Sequence, residues 1–294
     1  MFEQLIENYE VYVYPIAYFG SLAVVGFWEV FYPRRTLSAS VVTRWVSAAA
    51  LTVINTLLFR FAAPLLAIPF AIWLAQREIG LFNAIDTPFW LAVLVSFWVL
   101  DISRWLQHWL LHRVPILWLL HRTHHTDHDY DFTTGLRFHP GEALFTVSAH
   151  FLAIALLGAP VEAVVLLEIV HIVFAFFAHG NLMIPLGVDR VLRLVIVTPD
   201  VHRLHHSAVA AETNANLGGF VTWWDRLFGT YQDQPEHGHE GMVIGLKEFR
   251  DPKHLKLHWI LANPFLSADA EAAQASDRLA PSARRAGAGA ASLK

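Results

Sequence analysis

The sequence predicts an all-α integral membrane protein, with four to five apolar spans or hairpins carrying a helical, histidine-rich cap on the cytoplasmic side. Three observations predict it. Apolar residues make up 55% of the 294-residue chain and charged residues only 16%, against about 25% in ordinary soluble domains, and the mean hydropathy is +0.41. The apolar residues fall into long runs. The 17 histidines are gathered mostly between and after those runs. So few charges cannot cover a soluble protein of this size, which makes lipid the solvent for much of the surface.

The N-terminal "MFEQLIENYE" is acidic and lacks the basic n-region and small-residue cleavage site of a signal peptide, so the first apolar segment is expected to stay as an anchor. That segment runs from Val11 to Phe31, with Tyr and Trp near its ends, and stops at "YPRR", where Arg34 and Arg35 mark the cytoplasmic face. A second span is expected from Val41 to Leu58, with Arg44 near its start. "FAAPLLAIPFAIWL", broken by Pro64 and Pro69, reads as a span end or a re-entrant or interfacial helix, and "AQREIGLFNAID" as interfacial. A third span is expected from Pro88 to Leu106.

Residues 107–142 are rich in His, Arg, Asp and Thr. Two apolar runs follow, 143–158 and 160–178, joined at "LGAP". Each falls short of the roughly 20 residues of a full crossing, which predicts a tight, partly buried hairpin. The chain is again polar and His-rich from Gly180 to Tyr231. With the first span starting outside, every histidine cluster lands on one face, the cytoplasmic one. The last stretch, from "FLSADAEAAQ", is low in large apolar residues and reads as a disordered tail.

Zero cysteines exclude disulfides, thiolate metal ligands and cysteine nucleophiles, so any metal is held by N and O donors. A net charge of −4 without a basic run leaves no nucleic-acid footprint.

The chemistry-bearing residues are the histidines. His108 and His112 are four apart, while His121, His124 and His125 combine spacings of three and four, as do His202, His205 and His206. Residues so spaced share a helix face, and neutral imidazole suits iron, zinc, nickel or copper. One HxxxH alone is weak; eight histidines in three compact groups beside membrane spans predict a dimetal site. The HExxH glutamate is missing, which argues against a zincin-type protease. A membrane cytochrome would use only His150 and His171, inside apolar runs, and leave the clusters unexplained. These two read as interior or pocket histidines; His237, His239, His254 and His258 read as cytoplasmic surface. An oxygen-activating pair of non-haem irons fits best.

The chain resembles the sterol desaturase / fatty acid hydroxylase family of integral membrane di-iron oxygenases. The resemblance rests on an HxxxH box and two HxxHH boxes, together with "DISRWLQHWLLHR", "TTGLRFHPGE", "AHGN", "TPDVHRLHHS" and "NANLGGFVTWWDRLFGTY". It covers about residues 90–231 and implies nine catalytic histidines that bind two Fe ions: His108, His112, His121, His124, His125, His179, His202, His205 and His206. His139, in "RFHP", joins the candidate metal ligands, with a supporting role or a place at a helix start as alternatives. His128 stays outside, because Asp127, Asp129 and Asp131 around it read as a solvated turn. Asp101 is either functional or a structural partner of Arg104. Asp225 is expected to brace the "WWDRLFGTY" segment, with Trp223 and Trp224 at an interface, and Asn214 and Asn216 to hydrogen-bond histidine ring nitrogens.

The resemblance further implies hydroxylation of an unactivated C–H bond of a membrane lipid, whether fatty acyl, sterol or related. O2 is the cosubstrate, and electrons come from an external reductase with a cytochrome or ferredoxin. A desaturase with the same site is the alternative; a histidine-lined metal transporter and a dizinc hydrolase rank below. The expected divisions are N-terminal transmembrane and interfacial helices over 1–90, a membrane-embedded catalytic domain over 91–235, a cytoplasmic segment over 236–266 and the tail over 267–294. The location is a bacterial-type inner membrane.

Overall fold

A computed structural model describes residues 12–62 and 67–268. The acidic N-terminal stretch, Pro64 and the tail from 269 lie outside the described residues. Five described helices are long and apolar enough to cross a membrane, and the described residues form no strand, only three isolated bridges.

Helix α1 (Tyr14–Phe31) opens with Pro15 in its first turn, where a missing N–H costs no helical bond. Ile16, Phe19, Val24, Phe27 and Val30 stand exposed along it, an outward apolar surface suited to lipid. Its opposite side packs through Val25 against Phe132, Phe176 and Leu182. Helix α2 (Val41–Ala62) follows. Helix α3 (Ala67–Gln76) has ten residues, about 15 Å and too short to cross. It turns Ala67, Ile68, Ala71 and Leu74 into the main apolar core with Leu100, Ile154 and Leu167, so residues 67–76 are a half-helix packed into the bundle. One turn, α4 (Leu81–Ala84), leads out of Gly80. Gly80 has φ +99°, and a Cβ there would sit 2.2 Å from the backbone nitrogen of Gly158, so this close crossing admits only glycine.

Helix α5 (Phe89–Arg113) runs 25 residues, a turn and more beyond the expected end at Leu106. The helix continues past 106 because this end of it packs into protein: Gln107 is buried alongside Leu111, and His108 and His112 ride on the last two turns. Pro115 then forces Val114 into an extended conformation and starts α6 (Pro115–His125).

Helices α7 (Pro140–Leu157) and α8 (Val161–His179) form the predicted hairpin, closed by Gly158 in the left-handed conformation. They are longer than the apolar runs. Starting at Pro140 and ending at His179 gives 18 and 19 residues, enough for two crossings rather than a short buried hairpin. The cap contains α9 (Leu186–Leu192), α10 (Pro199–His205), α11 (Ala210–Thr213) and α12 (Trp223–Phe228).

Four readings of polar residues need correction. Asp127, Asp129 and Asp131 are buried, not a solvated turn. Arg44 binds Asp127 at 2.7 Å and also binds Asp131, while Asp129 accepts the backbone N–H of Ser38 at 2.6 Å. Burial opposes the Asp127 charge, but Arg44 and Arg137 outweigh it and hold the carboxyl below its ordinary range. His239 and His254 are buried rather than surface groups: His239 Nε2 stands 3.5 Å from the Asp200 carboxylate, and Arg137 and Arg122 tie the segment around His254 to α6. Arg137 spans Thr123 O at 3.0 Å and His254 O at 2.8 Å, and Arg122 binds Asn263 Oδ1 at 3.0 Å. The Asp101 carboxylate is taken up by His171 Nε2 at 2.9 Å and Trp224 Nε1 at 2.7 Å, partners supplied by α8 and α12 instead of Arg104. The fourth concerns Asn214 and Asn216, below.

Candidate metal centre

The three boxes and His179 meet where α5, α6, α8 and α10 come together. Their ring nitrogens form two groups, each within 4.8 Å of one another: His108, His112, His121, His125 and His205 in group one, and His124, His179, His202 and His206 in group two. Residues four apart on a helix share a face, so 108/112 and 121/125 serve group one and 202/206 serves group two. The remaining member of each HxxHH box points elsewhere, so His124 and His205 cross to the other group. Each HxxHH box is thus divided between the two groups, while the HxxxH box serves group one alone.

Backbone carbonyls and one carboxylate set the ring tautomers. The Nδ1–H of His108 donates to Leu217 O at 2.7 Å, that of His205 to Ala215 O at 2.9 Å and that of His179 to Ala175 O at 2.7 Å. His121 Nδ1 meets Glu142 Oε1 at 2.6 Å. These bonds leave Nε2 as a lone-pair donor. Yet His108 Nε2 lies 3.1 Å from His121 Nε2, and His179 Nε2 lies 3.2 Å from His124 Nε2 and 3.0 Å from His202 Nε2. Facing lone pairs repel unless a cation lies between them. Two nitrogens each about 2.1 Å from one ion stand about 3.0–3.4 Å apart at bond angles of 90–109°, which matches. His205 Nε2, His206 Nε2 and both ring nitrogens of His112 are also buried without a hydrogen-bond partner. The residues fit a pair of metal ions.

Burial lowers His121 to about 3 and pushes His124, His125, His202, His205 and His206 well below the ordinary imidazole value, so the donors are neutral at pH 7. The sign of the linkage follows. The unfolded chain takes up protons from about pH 6.5 downward while the buried rings do not, so stability is lost as pH falls from 6.5 toward the folded values. Each such histidine adds to the loss over that window. Thermal midpoints in detergent between pH 7 and 4 are expected to fall steeply for metal-free protein, and bound metal protects it.

His139 falls in neither group. It caps α7, its Nδ1 accepting the Gly141 N–H at 3.0 Å, and its Nε2 faces Leu261 O at 3.3 Å; the Pro140 turn that starts the helix holds the ring there. His128 Nε2 meets Phe249 O at 2.7 Å. Asn214 and Asn216 bond no histidine: Asn214 donates to Ala210 O, and Asn216 donates to Val201 O and Gln232 O. Asn216 instead ties the 201 and 232 segments together. The bracing role of Asp225 is substantial, since its carboxylate accepts from Trp105 Nε1, the N–H groups of Leu217 and Gly218, and Thr230, fixing the Leu217 carbonyl that orients His108.

Sequence reasoning missed Glu142 as the partner of His121, although it stands three residues after His139 in the quoted "HPGE". Replacing it with leucine is expected to lower metal affinity about 10–100-fold, read by chelator competition, while glutamine keeps an acceptor and most of the affinity.

The sequence of this site is shared. The family model for fatty acid hydroxylases matches residues 93–230, which contain every histidine of both groups. The matched segment belongs to the fatty acid hydroxylase family. The chain is 32% identical, over 149 residues, to an ornithine lipid hydroxylase of Rhizobium tropici, covering 50% of this chain and 44% of the relative. It is 28% identical to the alkylglycerol monooxygenase of Homo sapiens, covering 57% and 36%, and 26% identical to a fatty acid hydroxylase of Lecanicillium, covering 55% and 48%. The chain thus spans less than half the length of these relatives. No solved structure matches it. Five apolar helices long enough to cross a membrane, together with the family segment, support an integral membrane protein.

Proposed function

We propose that the chain is a non-haem di-iron monooxygenase that hydroxylates an unactivated C–H bond of a membrane lipid. The observation that carries this reading is the pair of adjacent neutral-imidazole groups at the end of an apolar bundle. Nine nitrogens from His108, His112, His121, His125 and His205 and from His124, His179, His202 and His206 would hold the two ions. Group one alone offers five donors, more than the four of a closed structural zinc site, which favours iron. Two bound irons supply oxygen activation: O2, two electrons, two protons and a C–H bond give C–OH and water.

The chain's own residues do the rest. Leu217, Ala215 and Ala175 carbonyls keep the rings in the Nε2-donor tautomer. Glu142 holds His121 in place, and the buried walls of α5, α7 and α8 keep bulk water from the reacting bond. The relatives named for hydroxylating ornithine lipid, alkylglycerol and fatty acid support a lipid substrate, which would enter from the bilayer. An external carrier supplies the electrons. The division into N-terminal helices (1–90), catalytic domain (91–235), cytoplasmic segment (236–266) and tail (267–294) is part of the proposal, as is a bacterial inner membrane with the histidines facing the cytoplasm. Desaturation on the same site is the alternative.

Lipid extracts of expressing and control cells separate the two readings. A product heavier by one oxygen supports hydroxylation, and one lighter by two hydrogens supports desaturation. No lipid difference in iron-replete, aerated cells counts against both.

A further inference from the structure

Group one has a neighbour that its chemistry does not require. Trp118 lies on α6 three residues before His121 and seven before His125, on the same face. Its ring centroid is 5.1 Å from His112, 5.5 Å from His125 and 6.3 Å from His121. Trp118 and His112 also line a partly open cavity of about 340 Å³, whose wall includes Arg122, Lys247, Glu248 and Phe249. No histidine of group two lines it, and all four of that group are buried. The cavity therefore brings the outside to an indole that touches three of the five rings of group one.

The proposed reaction consumes two electrons per turnover, which an external carrier supplies in the reading above. Resting on the di-iron reading above, we propose that this cavity is the docking port for an acidic one-electron carrier protein, and that Trp118 relays each electron from the carrier to the histidines of group one. Tunnelling decays exponentially with distance through gaps, so an aromatic ring in contact with three ligand rings shortens the route a carrier's cofactor must bridge. Charge sets the class of carrier. Exposed Lys247 and buried Arg122 stand in the cavity wall against Glu248, and the chain that follows, residues 250–258, adds Arg250, Lys253 and Lys256 against Asp251. That excess of cations favours an acidic docking face. Two carriers are each oxidised by one electron, and O2 takes both electrons with two protons to leave one oxygen in the product and one in water. Trp118 is a bridge and is not itself consumed.

The test uses the metal-loaded full chain in detergent, with a reduced plant-type [2Fe–2S] ferredoxin or dithionite as reductant. Carrier oxidation is followed by absorbance in stopped flow. Trp118→Leu is expected to slow ferredoxin oxidation by an order of magnitude or more, with metal content and the dithionite rate close to wild type, because a small reductant reaches the His112 wall directly. Trp118→Phe keeps most of the rate. Lys247→Glu raises the ferredoxin concentration needed for half-maximal rate and flattens its salt dependence. Two results overturn the proposal: Trp118→Leu oxidising ferredoxin at the wild-type rate, or losing the ferredoxin and dithionite rates equally, which makes Trp118 only a shield. A wild-type chain that accepts electrons from neither reductant contradicts the di-iron reading, and this proposal with it.

Discussion

On the proposed two-iron reading, alanine at His205 and alanine at His206 are each expected to lower the metal content from two ions per chain toward one, but to empty different positions. His205 belongs to group one and His206 to group two, although they are adjacent in sequence. Their rings lie 5.3 Å apart and nearly perpendicular. Losing a ligand costs more than the roughly 10–100-fold penalty of losing a supporting partner, so each variant is expected to lose hydroxylation by more than two orders of magnitude. The double variant loses both ions. Elemental analysis of purified protein and product formation in lipid extracts check the prediction; the two singles losing the same ion would contradict the division of the boxes. Membrane insertion is unchanged in all three, because no span residue is altered.

Arg44→Met carries the largest expected loss of stability. Arg44 is 1% exposed and sits between Asp127 and Asp131, themselves 2% and 0% exposed. Removing the cation leaves two carboxylates buried without their partner, a change worth about 3–5 kcal/mol. The damage spreads toward the metal centre, because the loop that Arg44 holds also places Tyr130. The Tyr130 hydroxyl donates to Ala178 O at 2.6 Å, one residue before His179. Thermal unfolding in detergent is expected to show a much lower midpoint and weaker metal retention. Adding Asp127→Asn and Asp131→Asn to Arg44→Met restores part of the midpoint, since neutral amides cost less to bury than charges. A single variant as stable as wild type would contradict the account of this cluster.

The spans and the histidine boxes were legible because both are local patterns: an apolar run is read by length, and an i, i+4 pair by helix geometry. The ends of helices were less so. α5 continues through His108 and His112 because its polar residues face protein, and hydropathy cannot tell a polar residue facing water from one facing other histidines. The 127–131 loop reads as solvated for a related reason, since its cation is 83 residues away in sequence. The partners of the ligand rings were the least legible part. Three are backbone carbonyls, of Leu217, Ala215 and Ala175, and a carbonyl has no residue signature. The assignment of His124 and His205 to opposite groups depends on how α6 and α10 face each other, which no single box encodes.

On the proposed reading, these nine histidines together support insertion of one atom of O2 into a lipid C–H bond. Mass spectrometry of lipids from expressing cells supplied with isotopically heavy O2 tests it most directly, with the His205→Ala chain as the control. The account predicts a lipid product that carries one heavy oxygen atom and is absent from the control; a product whose added oxygen is unlabelled, or that persists in the control, would contradict it.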